Sequence, residues 1–86
     1  MNKNFEIIWN SILAHSGEVF HTKTGLPFVY NIVENCVIPD RTKYPLDISN
    51  FKKAVALPQL EGPGQISNFV RGPSYVFAIL TDERIK

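Results

Sequence analysis

Phe5, Ile8, Trp9, Ile12 and Leu13 recur at the i, i+3, i+4, i+7, i+8 spacing of a single helix face. The pattern predicts an amphipathic helix over residues 4–15, with Asn2 or Asn4 capping its start and Gly17 closing it in the left-handed conformation. Past Gly17 the period shortens to two. From Glu18 to Ile38 the chain is rich in β-branched and aromatic residues, with turn residues about every eight positions, which predicts three short antiparallel strands. The first covers Glu18 to Thr22. Lys23-Thr24-Gly25 supplies a three-residue hairpin loop, and Pro27, which lacks an amide hydrogen, fits only at the start of the second strand. There Phe28, Tyr30 and Ile32 share one face and Val29, Asn31 and Val33 the other. A turn at Glu34-Asn35 then returns the chain through Cys36-Val37-Ile38.

The second half is less periodic. Residues 39–45 contain two prolines and read as a loop. Ser49 is expected to cap a helix through about Leu57, with Phe51, Ala54 and Val55 inward, Lys52 and Lys53 outward and Pro58 as its stop. Pro63 suits the first turn of a short helix through Arg71 that places Ile66, Phe69 and Val70 on one side. The apolar run Tyr75 to Leu80 suits either a buried strand or a buried helix, and periodicity does not decide. The Gly72-Pro73-Ser74 approach, with Ser74 as cap, favours helix. The predicted class is α+β: an N-terminal helix, a three-stranded antiparallel β-meander, then two or three C-terminal helices, all within one domain spanning 1–86.

Composition narrows the functions. The longest stretch without Asp, Glu, Lys or Arg is the eleven residues Ile7 to Gly17, against the roughly 18 that a membrane span needs. No membrane association is expected. Glu6 directly precedes Ile7-Ile8-Trp9, where a secretory signal would need an unbroken apolar core, and the one cysteine, Cys36, has no internal disulfide partner. The expected location is cytoplasmic. Net charge is +1, but residues 1–40 carry −2 and residues 41–86 carry +3, with Arg41, Lys43, Lys52 and Lys53 against Asp47 concentrating the positive charge. If a basic surface exists, it lies there.

Chemistry-bearing motifs are sparse. His15, His21 and Cys36 are the soft-metal ligands, and they lack the paired short spacings of a structural zinc site, so neither a metal nor a cofactor is expected. Cys36 and His21 are conceivable neighbours across strands, but nothing in the sequence supplies the orienting group and oxyanion site a nucleophile would need. Asp40, Asp47, Glu61, Asp82 and Glu83 show no spacing that enforces convergence. No catalytic residue is assigned. Residues 65–80 are similar to a helix-turn-helix in their order of short helix, glycine turn and second helix. The second helix, however, is apolar all round, which suits a core or an interface rather than base reading.

The expected function is a small non-enzymatic binding or regulatory module. Nucleic acid, DNA or RNA, ranks first as partner, with phosphate contacts from Lys23, Arg41, Lys43, Lys52, Lys53 and Arg71, helped by the free amides of a helix start at Ser49-Asn50. A protein-interaction accessory domain, homodimeric or part of a larger complex, ranks second, on the ground that Trp9, Phe20, Phe28, Phe51, Phe69, Tyr75 and Phe77 exceed what a small core can cover. A small hydrolase or nuclease ranks last.

Overall fold

A computed structural model describes residues 4–42 and 44–86. Helix α1 covers Phe5–Ala14, and the Asn4 side chain accepts a hydrogen bond from the Ile7 amide at 3.0 Å, satisfying one of the free donors of the first turn. Its predicted stripe faces inward at Ile8, Trp9 and Ile12. Gly17 takes the left-handed conformation at φ 87° and donates to the Tyr30 carbonyl, so the turn out of α1 is tied to the sheet.

The sheet is a meander in chain order: β1 (Val19–His21), β2 (Pro27–Val33), β3 (Cys36–Pro39) and β4 (Leu46–Asp47), all antiparallel. The expectation of three strands is corrected to four. The added strand is two residues long, pairing Leu46 with Val37 and Asp47 with Cys36, and two residues cannot display an alternation. Phe20, Phe28, Tyr30, Val37 and Leu46 point to the covered face and are buried. The Tyr30 hydroxyl donates to the Ile12 carbonyl at 2.6 Å within that core, and burial pushes its phenol well above the ordinary tyrosine range.

Helix α2 (Ile48–Val55) follows β4 without a loop, two residues earlier than expected, because Asp47 rather than Ser49 caps it. Phe51 and Ala54 are buried. The expected helix from 63 to 71 is not formed. Only a single 3-10 turn, Pro63–Gln65, appears, followed by turns in which Val70 N still donates to Ile66 O, so Ile66 and Val70 are buried while Phe69 is exposed. Gly64 inside that turn and Gly62 just before it weaken any longer helix. The apolar run is helix α3 (Pro73–Thr81), with Pro73 at its first position and Gly72, at φ 60°, as its cap in place of Ser74.

The helices converge on one side of the sheet. Trp9 packs on Phe51, Phe20 on Tyr30, and Phe28 meets Tyr75 edge to face with centroids 5.0 Å apart. Of the aromatic side chains expected to overfill the core, Phe69 alone is exposed, so covering the others requires no second chain. No helix among the described residues is long and apolar enough to cross a membrane.

Candidate nucleic-acid interface

The predicted cations fall into three places. Lys23 stands at the tip of the β1–β2 hairpin and leans across to the far side of the chain: its Nζ is 6.0 Å from the Phe77 ring centroid and would lie 3.4 Å from a Cβ placed on Gly62. Arg41 follows β3 and donates through Nε to the carbonyl of Pro27, the first residue of β2. Because β3 runs antiparallel to β2, Arg41 and the hairpin loop lie at the same end of the sheet. Arg71, just before α3, presents its guanidinium 5.7 Å from the Tyr44 ring centroid. Its backbone is fixed from α2, since Arg71 N donates to Asn50 Oδ1 at 2.9 Å.

Helical spacing places Lys53 one turn beyond Asn50 on the exposed side of α2. Lys52 turns away, with its ammonium 5.7 Å from the Phe5 ring of α1. Lys43 lies outside the described residues. The cations therefore do not form one ridge along 41–53. Lys23 and Arg41 stand at the hairpin end of the sheet, Arg71 at the entry to α3 and Lys53 on the exposed side of α2, while Lys52 faces α1. Among the described residues none of these five side chains makes an ion pair with a carboxylate.

The expected phosphate site at the start of α2 is already occupied from within. Asp47 accepts from Ser49 N at 3.0 Å, and that backbone hydrogen bond holds its carboxyl below the usual carboxylate range. Asn50 uses its amide nitrogen on the Asp47 carbonyl and its amide oxygen on Arg71. The helix start thus fixes Arg71 in place instead of receiving a ligand.

Two concavities flank the residues that lead into α3. One, about 350 Å³, is lined by Tyr44, Arg71 and Gly72. The other, about 210 Å³, is lined by Thr22, Lys23, Thr24, Leu26, Pro63, Ser74 and Tyr75. Gly72 separates them. A Cβ on this residue would come within 2.8 Å of Leu46 Cδ2, so the left-handed corner sits directly on β4 and sets where Arg71 and Ser74 emerge. Tyr44, with 60% of its surface exposed, was not among the predicted site residues. An aromatic residue in a proline-flanked basic loop was the available signal.

Past the far end of α3 lies a second charged cluster. The Arg84 guanidinium is 3.8 Å from the Phe20 ring centroid and donates to Asp82 Oδ1 at 2.8 Å, to Glu18 Oε1 at 3.1 Å and to the Val19 carbonyl at 2.8 Å. His15 Nδ1 meets the other oxygen of Glu18 at 2.9 Å. The hydrogen bonds from His15 and Arg84 lower the Glu18 carboxyl, and that from Arg84 lowers Asp82. Four of this arginine's five N–H donors are used by the fold. His21 and Cys36 do not meet, since they pair with opposite ends of β2, about 20 Å apart at the strand rise per residue.

No protein-family model matches the chain, and no curated protein or solved structure shows significant similarity to it.

Proposed function

We propose that the chain binds single-stranded nucleic acid across the amino-terminal end of α3. The observation that carries this reading is the exposed Tyr44 ring beside the Arg71 guanidinium in an open cleft, with no carboxylate paired to the cation. A tyrosine face next to a planar cation offers a platform on which an unstacked base can lie while the guanidinium meets the adjacent phosphate. Lys23, Arg41 and Lys53 are assigned as further phosphate contacts for the strand that leaves this platform, and Lys43 adjoins Tyr44 in sequence. Duplex reading is disfavoured by α3 itself, whose Val76, Ala78, Ile79 and Leu80 are buried, leaving no polar face to enter a groove.

Fluorescence anisotropy with mixed-sequence 12-nucleotide DNA and RNA strands tests the reading. Three to four neutralised phosphates predict a slope of about −2 to −3 for log affinity against log salt on single strands. Tyr44→Ala is expected to weaken binding about tenfold, the scale of one lost base stack, and Arg71→Met to flatten the slope by about 0.7. Absence of binding at low salt, or binding that ignores both substitutions, overturns it.

A further inference from the structure

The cavity on the other side of Gly72 has a composition of its own, and we infer that it receives a terminal phosphate, the phosphomonoester end of a strand bound on Tyr44. The inference rests on the reading above for its strand and on separate residues for its chemistry. Thr22, nine-tenths buried, accepts at Oγ1 from Leu26 N at 3.1 Å and lies 3.2 Å from Thr24 Oγ1. One of these two hydroxyls donates to the other, which leaves the second one's proton uncommitted. The Ser74 hydroxyl has no hydrogen-bond partner among the described residues, and the first turn of α3 carries no side-chain cap. Lys23 Nζ stands over Gly62 with no carboxylate in ion-pair range.

These groups are donors without acceptors. Lys23, Thr22, Thr24 and Ser74, which carry an ammonium, hydroxyls and the first-turn amide of α3, line a space of about 210 Å³. A carboxylate or phosphate meets such a set with both acceptor oxygens and a charge opposite to the Lys23 ammonium, whereas a neutral ligand brings no charge and a cationic one is repelled. The number of donors favours the monoester. A phosphomonoester presents three terminal oxygens and close to two negative charges, whereas a phosphodiester inside a strand presents two oxygens and one charge. Leu26, Pro63 and Tyr75 supply apolar walls on which the adjoining sugar can rest. Gly72 lines one cavity and Ser74 the other. Two residues span at most about 7 Å, so one end nucleotide can reach both.

The test compares one 12-nucleotide strand carrying a 5′-phosphate, a 3′-phosphate or hydroxyl ends, alongside ribose 5-phosphate and inorganic phosphate followed through the amide resonances of Thr22, Thr24 and Ser74. One of the two phosphorylated ends is expected to bind about tenfold more tightly than the hydroxyl-ended strand. Ser74→Ala should erase most of that ratio while retaining binding of the hydroxyl-ended strand and a cooperative thermal transition, and Lys23→Gln should erase most of the ratio while also weakening the hydroxyl-ended strand by one lost phosphate contact. Ribose 5-phosphate should shift the three amides, and inorganic phosphate should do so more weakly. Strands that bind without regard to their ends overturn the terminal-phosphate inference and leave strand binding standing. Amide shifts with ribose 5-phosphate but no strand binding support the pocket and remove the strand reading. Inorganic phosphate matching ribose 5-phosphate, or no shift with either, overturns the inference.

Discussion

Arg84, just beyond the carboxyl end of α3, donates to Asp82, Glu18 and Val19 and lies over the buried Phe20 ring. Arg71, just before the amino end of the same helix, lies against an exposed ring and meets no carboxylate. The two arginines are about 13 Å of helix apart at 1.5 Å per residue. One joins the segment after α3 to β1 and to the turn after α1. The other is held by its backbone and leaves its charge outward. What separates a structural cation from a binding one is thus its set of partners, and net charge near each is a poor guide.

The largest effect expected from breaking this contrast is at Arg84. Arg84→Met removes charged hydrogen bonds and a cation–π contact and leaves Asp82 only the backbone amide of residue 84, which should cost about 2–3 kcal/mol in urea unfolding with no change in strand affinity. Arg71→Met should change stability by less than about 0.5 kcal/mol, as expected for an exposed side chain. Comparable losses from both would abolish the distinction. Next is the corner between the two concavities. Gly72→Ala places a side chain at φ 60° against Leu46, for which about 2 kcal/mol of destabilisation is expected, together with weaker strand binding because Arg71 is displaced. Unchanged thermal stability would show that the corner relaxes freely.

The smallest effect is with pH. Glu18, Asp82 and Asp47 have folded values below their ordinary ones, so each contributes stability above the unfolded carboxylate range near 4 and loses it as pH falls through the folded value. The urea midpoint should hold between pH 7 and 5 and drop below about 4. Arg84→Met should shallow that drop, because Glu18 and Asp82 then titrate closer to their unfolded values. A wild-type midpoint that stays level down to pH 3 would contradict the role given to these pairs.

The local layers of this architecture were legible in the chain. The Phe5 to Leu13 stripe, the Lys23-Thr24-Gly25 hairpin and the glycine-proline approach to α3 each place their signal within a few residues, and the structure follows them. Strand β4 escaped because its pairing with β3 comes from partners nine and eleven residues away and not from its own pattern. Pro63 is a valid helix start, but Gly62 and Gly64 on either side leave only a turn. At the site, Lys23 and Arg71 were named from charge alone, while the Tyr44–Arg71 platform joins positions 27 apart and has no local trace. Lys52 was grouped with Lys53 by adjacency, although neighbours on a helix point about 100° apart, and Lys52 turns to Phe5.

The hydrogen bond from Arg84 to the Val19 carbonyl also bears on how copies of this chain behave toward one another. Strand β1 lies at the margin of the sheet, where unsatisfied backbone groups offer a template for adding a foreign strand. The guanidinium occupies that margin with a bulky charge, and the opposite margin, β4, is only two residues long. Both borders of the sheet are thereby closed to edge-to-edge growth, one by a plug and the other by brevity.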